Sequence, residues 1–393
     1  MTNVLFVIDS LTCGGAQKSL ISLLNNIDYS QYQVELLLFR RGGGFERFLP
    51  SQVKVLNVPQ YFRFVSGDTS INFKSRVKYH LYRLKTSLKL RLNNITRKKK
   101  HSEQIVYTSI KTILNNVGKK YDVAIAYSQG LPTYFIVDKV EADRKIAWIN
   151  CDYINTLYDK DLDNVFYRSI DTMVTVSSYT YDSISKMKYN YKDKLKVILD
   201  IVNPEIITKM SLEEEPREFH QNVLKILTVG RLATVKGYDL AIKAASLLKK
   251  GGYKAKWYVI GEGSERKEME RLIDKYELSN NFILLGEKSN PYPYINNCDI
   301  YVQTSRKEGF GLTVIEAKIL KKPIVCTNFD TAYELINDKV DGYIVSKEEN
   351  EIFSAIKKFI DNENERKRVI CNLNNCKAYS SVNELEKFYE IIN

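Results

Sequence analysis

Histidine is almost missing from this 393-residue chain: His80 and His101 stand in one basic segment and His220 in a polar one. The six cysteines (Cys13, Cys151, Cys298, Cys326, Cys371 and Cys376) are scattered and form no CxxC pair. Neither a zinc site nor a disulfide framework is expected from such a set. Long hydrophobic runs are missing as well. The longest uncharged stretch, 123–137, has 15 residues and is interrupted by Ser128, Gln129, Gly130, Pro132 and Thr133, too short and too polar for a membrane span. The apolar run 4–8 stops at Asp9 without a basic flank or a small-residue cleavage site, so no secretory leader is expected. Acid is missing from one place in particular. Between Lys74 and His101 there are eleven Lys and Arg and no Asp or Glu, and subtracting eleven from the formal charge of +12 leaves the rest near neutral. The basicity is local and calls for a local use.

What is present is globular: 44% apolar and 27% charged residues, in a chain long enough for two domains of about 150–200 residues each. Two segments begin alike. Residues 3–9 (NVLFVID) are a buried-strand run followed by a glycine loop, 12–15, and an amphipathic helix through Leu20, Ile21, Leu23 and Leu24. Residues 224–230 (LKILTVG) are followed by the loop 231–237 and a helix through Leu240, Ile242, Ala244, Ala245 and Leu248. Strand, glycine loop and helix open a nucleotide-binding α/β domain. Further strand-like runs at 34–39, 53–58, 121–127, 145–149, 173–176 and 196–199 alternate with helical patterns. In the second half, runs at 256–260, 281–285, 300–303, 323–326 and 342–345 alternate with helices near 264–276, 313–320 and 351–362. Alternation predicts two doubly wound parallel sheets with ligands at the carboxyl ends of the strands. The predicted division is a domain 1–202, a polar linker 203–222, a domain 223–378 and a terminal helix 379–393.

Two loops carry chemistry. In 230–237 (GRLATVKG), Arg231 and Lys236 lie just beyond a strand and before a helix, where backbone N–H groups, the helix dipole and two cations would meet a pyrophosphate. A solvated βα loop is the bland alternative. In 308–316 (EGFGLTVIE), two glycines permit close backbone approach, and Glu308 and Glu316 are carboxylates suited to accepting hydrogen bonds from sugar and ribose hydroxyls. A helix-start acid stabilised by the dipole would explain Glu316 but not Glu308.

With 261–263 (GEG) and 14–16 (GGA), these elements resemble glycosyltransferase family 4, retaining enzymes of the GT-B fold. The similarity is strongest over 224–346 and weaker over the first 200 residues. The resemblance implies two Rossmann-like domains facing a cleft, with a C-terminal helix crossing back to the first. It gives Arg231 and Lys236 the donor diphosphate and Glu316 the ribose. Glu308, with the backbone of Gly309, Phe310, Gly311 and Leu312, would hold the donor sugar. Gly14, Gly15, Gly263 and Thr313 would complete the donor site. Fixed cations in a water-poor site stabilise a leaving diphosphate without a metal, so no cofactor or metal is expected.

One position departs from the family. Relatives commonly follow the strand corresponding to 145–149 with a sugar-contacting histidine, whereas this chain has Asn150, Cys151 and Asp152. Asn150 can donate and accept; either it retains the contact, or donor preference is altered, or the position lies elsewhere in this weakly similar region. Asp152 is an alternative sugar or acceptor contact, or an N-cap.

In the basic segment 74–101, Val77, Leu81, Leu84, Leu88, Leu92 and Ile95 recur at three- and four-residue spacing with cations on the other faces, as in a basic amphipathic helix. Each cation near an anionic bilayer is worth about 1 kcal/mol, so Arg97, Lys98, Lys99 and Lys100 are expected at a membrane surface or a lipid-linked acceptor. The alternative packs the apolar stripe on the first sheet.

The expected function is transfer of a hexose or N-acetylhexosamine from a UDP-sugar to a polyprenyl-diphosphate-linked glycan in surface polysaccharide synthesis, at the cytoplasmic face of the membrane. A nucleotide-sugar 2-epimerase is the alternative within the fold and would require further acid–base residues. Nucleic acid is not an expected partner, because Tyr79 and Tyr82 make no stacking platform. A dehydrogenase is excluded by the absence of GxGxxG spacing after the first strand.

Overall fold

The structure, a computed structural model, describes residues 1–12, 14–96, 99–219, 223–375 and 382–393. The chain divides into two compact units, Met1–Ile201 with Val382–Asn393, and Val202–Ser381.

The first unit contains β1 (Thr2–Ile8), β2 (Tyr32–Leu38), β3 (Lys54–Val55), β4 (Lys120–Ala126), β5 (Glu141–Ile149), β6 (Thr172–Thr175) and β7 (Leu195–Val197). They form one sheet in the order β3-β2-β1-β4-β5-β6-β7, every pair parallel. The strands are near-continuous Val, Ile, Leu and Ala runs because helices cover both faces. Leu5, Val7, Ala124, Ala126, Ala147 and Ile149 point to one face and join its core. The chain order reverses between β1 and β4, which places the loops after both strands at a topological switch point.

The helix Val382–Ile392 belongs to this unit, as expected for a terminal helix that crosses back. Phe388 is fully buried and stacks on Phe6, Tyr389 stacks on Tyr32 at 5.5 Å, and Glu384 accepts the Leu199 N–H at 2.7 Å. The segment 379–381, counted with that helix in the sequence, lies outside the described residues.

The second unit contains β8 (Leu224–Val229), β9 (Ala255–Ile260), β10 (Phe282–Leu284), β11 (Ile300–Gln303), β12 (Ile324–Thr327) and β13 (Tyr343–Val345). Their order is β10-β9-β8-β11-β12-β13, again all parallel. The switch point here falls between β8 and β11. Within the expected linker 203–222, Pro204–Ser211 is a helix. Asn203 caps it by accepting the Ile206 N–H at 3.1 Å, and Pro204 occupies its first turn, where a missing N–H costs nothing. Ile207 and Met210 are buried, so this stretch is part of the second unit's core.

The basic segment forms a 23-residue helix, Phe73–Ile95. The face that packs on the first unit is not the apolar stripe. Tyr79 and Thr86 are the buried residues, with Tyr79 edge-on to Tyr61 at 5.6 Å and bonded to Gln60 at 3.1 Å. Phe73, Val77, Leu81, Leu84, Leu88, Leu92 and Ile95 are all exposed, from 46% at Val77 to 82% at Ile95. Packing of that stripe on the first sheet is therefore excluded.

Candidate functional site

The loop after β8 is held by contacts that only glycine permits. Gly237 has φ +63°, and a Cβ there would lie 2.1 Å from the Thr304 carbonyl oxygen. Gly263 brings its backbone against Leu232, with a virtual Cβ 2.2 Å from the Leu232 carbonyl oxygen. The Leu232 N–H donates to Glu262 O at 2.9 Å, and the Glu265 N–H returns to Leu232 O at 3.0 Å. The loops after β8 and β9 are thus locked together. The loop after β11 joins them: the Arg306 N–H donates to Val235 O at 2.7 Å, and Thr304 Oγ1 donates to Lys236 O at 3.0 Å. Arg306 also clamps Asp239 with two 2.7 Å bonds, a planar fork that fixes geometry as well as charge.

This scaffold brings Lys236 and Glu308 together. Lys236 Nζ donates to Glu308 Oε1 at 2.7 Å and Oε2 at 2.8 Å. Glu308 Oε1 also accepts from Gln303 Nε2 at 2.7 Å and Ser305 Oγ at 2.6 Å. Gln303 is oriented in turn by the buried Tyr301 hydroxyl, which donates to its Oε1 at 2.9 Å. The sequence assigned Lys236 to phosphate and Glu308 to sugar; in the structure each is the other's partner. An ammonium has three N–H donors, so two engaged with one carboxylate leave a third for a ligand oxygen. Arg231, in the same loop, is exposed.

Glu316 stands in the helix that follows the glycine loop, and its carboxylate is covered. It lies on Leu312–Ile319 with 1% exposure, and the Tyr292 hydroxyl donates to its Oε1 at 3.0 Å. Phe310 and Leu312 are buried side chains, so only their backbone is available to a ligand. Gly311, at φ +105°, starts the helix with its virtual Cβ 2.6 Å from Leu335 Cδ1. Gly309 and Thr313 are partly exposed beside it. Tyr292, Gln303 and Ser305 were missed by sequence reasoning. The available signal was the polar run Gln303-Thr304-Ser305 that closes and follows a buried strand.

Gly14, Gly15 and Asn150 lie in the first unit. Gly14 has extended backbone (φ −159°) and starts the helix Gly15–Leu24, so no left-handed geometry demands it. Asn150 Nδ2 donates to Tyr127 O at 2.7 Å, and its N–H donates to Gln129 Oε1 at 3.0 Å. Its Oδ1 is buried and accepts from no described residue, which leaves an acceptor at the end of β5. Asp152 precedes the turn Tyr153–Asn155 without capping a backbone N–H; it accepts from Asn155 Nδ2 at 2.7 Å. At the end of β1, burial pushes the Asp9 carboxyl up to about 7; the charge of Glu103 adds to the shift, and Arg40 opposes it. Glu103 accepts from Tyr158 at 2.9 Å and from the Leu131 N–H at 3.1 Å.

Of the four cations expected at a membrane, Arg97 and Lys98 lie outside the described residues. Lys99 is exposed. Lys100 is paired with Asp159 at 2.8 Å and tied through its backbone to Asn93.

The chain is similar to several known proteins. Among curated relatives, the N-acetylgalactosamine-N,N'-diacetylbacillosaminyl-diphospho-undecaprenol 4-alpha-N-acetylgalactosaminyltransferase of Campylobacter jejuni is 29% identical over 218 residues, 54% of this chain and 57% of that one. A poly(ribitol-phosphate) alpha-N-acetylglucosaminyltransferase of Staphylococcus aureus is 27% identical over 196 residues, 47% of this chain and 38% of that one. The chain thus spans about half the length of the curated relatives it matches. Anabaena HepE in complex with UDP-glucose superposes with a TM-score of 0.71 at 16% identity, covering 100% of this chain and 99% of that one. S. aureus TarM in complex with UDP gives 0.68 over the full length of both chains at 16% identity. Such likeness is one of fold, and that fold is GT-B. Residues 211–375, which hold the Lys236–Glu308 pair and all of β8 to β13, match the family Glycosyl transferases group 1.

Proposed function

We propose that the protein is a retaining glycosyltransferase that moves a hexose or N-acetylhexosamine from UDP to a hydroxyl of a polyprenyl-diphosphate-linked glycan, in surface polysaccharide synthesis at the cytoplasmic face of the membrane. The observation that carries the reading is the Lys236–Glu308 pair, fixed at the switch point of β8 and β11 by a loop that also carries the exposed Arg231. The family match of this unit supports it, as do relatives named for undecaprenol- and polyol-phosphate-linked acceptors.

In this reading the bond between the sugar C1 and the diphosphate oxygen breaks while a bond forms from the acceptor oxygen to C1 on the same face. The departing phosphate oxygen takes the acceptor proton, so no separate base is needed. Arg231 and the remaining Lys236 N–H neutralise the charge that develops on the diphosphate, an effect that grows from ground state to transition state. Gly309 and the N–H groups that open Leu312–Ile319 hold sugar and phosphate oxygens. Glu316 reaches a ribose by releasing the Tyr292 hydroxyl. With two cations on the diphosphate, the reaction requires no metal.

The test is nucleotide release from a panel of UDP- and GDP-sugars in EDTA, with and without a lipid-linked acceptor. Selective release of UDP from one donor supports the reading. Absence of turnover under both conditions overturns it. The 2-epimerase alternative would need acid–base residues, and Asp9, whose carboxyl is pushed up by burial and by the charge of Glu103, is a candidate for one. Recovery of an epimerised donor without acceptor would establish it.

A further inference from the structure

We infer that the helix Phe73–Ile95 is an interfacial anchor that lies along an anionic lipid bilayer and inserts its apolar face. The inference rests on the first unit alone and does not depend on the nucleotide-sugar reading.

Two faces of this helix separate by angle. At about 100° per residue, the seven exposed apolar residues from Phe73 to Ile95 fall within an arc of about 100°. The residues turned toward the unit (Ser75, Tyr79, Tyr82, Thr86, Leu90 and Asn93) are buried or half-buried. They follow the same alternation of three- and four-residue steps and centre on the opposite side of the helix. One face, polar and aromatic, holds the helix to the protein through Tyr79 with Gln60 and through a hydrogen bond between the Tyr82 and Thr112 hydroxyls at 3.2 Å. The other has no protein partner among the described residues, although four of its members are leucines exposed by half or more. A contiguous apolar strip of this length on a soluble surface marks an interaction site.

Charge identifies the occupant. Lys74, Lys78, Lys85 and Lys89 flank the strip on one side, Arg76 and Arg83 on the other, and Arg91 stands at its edge; the helix contains no acid. Long cationic side chains beside an apolar strip extend to a headgroup layer while the strip enters the acyl boundary. A second copy of the chain would set seven cations against seven with no carboxylate between them, so self-association through this face is opposed by repulsion. A bilayer rich in anionic lipid satisfies both the strip and its margins. The cations nearest the lipid are thus those within the helix. Lys100, engaged with Asp159, is not among them.

The experiment is co-flotation of the full chain with vesicles of phosphatidylethanolamine and phosphatidylglycerol, and with phosphatidylcholine vesicles, for wild type and for the triple variant Leu81→Glu, Leu84→Glu, Leu88→Glu. These positions are exposed, and thermal unfolding should match wild type; a Leu88→Cys protein labelled with a polarity-sensitive dye provides a second readout that needs no charge change. The expected results are binding of wild type to anionic vesicles, at least tenfold weaker partitioning of the triple variant, and a blue shift of the dye on those vesicles only. The inference is overturned if wild type fails to bind, if the triple variant binds equally well, or if the dye stays in water. It is equally overturned if sedimentation shows a wild-type dimer that the triple variant dissolves, for the face would then belong to a second copy.

Discussion

Lys236 donates to both carboxylate oxygens of Glu308, at 2.7 and 2.8 Å, across two loops separated by 72 residues. The pair joins the end of β8 to the end of β11, so one ion pair fixes both sides of the switch point. Part of its effect is stability, because removing one partner leaves the other poorly solvated charge without compensation. Glu308→Gln keeps the shape and removes the charge. The expected outcome is a fall in transfer kcat/KM of about 100-fold, the scale of losing one positioned electrostatic contact, with a fall of a few degrees in Tm. An unchanged kcat/KM in a steady-state assay would remove the pair from the mechanism.

Arg231 and Glu316 should separate in their effects. Arg231 is exposed, so Arg231→Ala should leave Tm within about 1 °C, as surface substitutions do, while lowering kcat by roughly 100-fold. Glu316 is 1% exposed beneath the Tyr292 hydroxyl, and Glu316→Ala should lower Tm as well as activity, because it strands a buried donor. Calorimetry beside a donor-turnover assay checks both. Equal Tm losses in the two variants would contradict the placement of these residues.

Gly237 and Gly263 offer a backbone test. Gly237→Ala combines left-handed strain of about 1–2 kcal/mol with a Cβ 2.1 Å from the Thr304 carbonyl oxygen. The second unit should lose about 2 kcal/mol or more in denaturant titration, and UDP-dependent thermal stabilisation should vanish. Gly263→Ala, crowded by the Leu232 carbonyl oxygen but without positive φ, should disturb donor binding through loop displacement. Wild-type donor affinity in both variants would show that the locked loops do not form the site.

A pH dependence follows from Asp200. It is 6% exposed, and burial pushes its carboxyl from 3.8 up to about 7, the Ser19 hydroxyl opposing. A carboxyl with a higher pKa folded than unfolded holds its proton more tightly in the folded state. Its contribution to stability is full below the unfolded value near 4 and is lost as pH rises through about 7. Asp9 acts with the same sign. Asp200→Asn should therefore raise Tm by about 4 °C at pH 8 and little at pH 4, flattening the decline between them. An identical decline in wild type and variant, followed by calorimetry, would refute this.

Local pattern decided the elements, and tertiary packing decided the faces. All thirteen strands were legible because a parallel strand covered on both sides is a dense β-branched run between loops; β11 was read as 300–303, where the structure has Ile300–Gln303. The glycine loops and the order of the two carboxylates were legible because a backbone that must approach a ligand or another loop can use only certain residues. The helix Pro204–Ser211 was not, because eight residues among polar neighbours carry too little periodicity, and its stability comes from burying Ile207 and Met210.

The basic helix shows the same division most clearly. Its existence, length and amphipathic stripe follow from side-chain spacing alone, since spacing is a property of one helix. Which stripe meets the protein does not follow from that spacing: the sequence favoured the apolar stripe at a membrane over its packing on the first sheet, and the second, polar and aromatic stripe of the same period was not read. Tyr79 went inward because the Tyr61 ring and the Gln60 side-chain oxygen were there to receive it, and Thr86 on the same face could satisfy its hydroxyl on the Tyr82 carbonyl, leaving the leucines outside. Likewise the sequence placed Lys236, Glu308 and Glu316 in the right loop and helix, but their pairing and burial are long-range contacts. These depend on how β8 and β11, distant in the chain and adjacent in the sheet, bring their ends together.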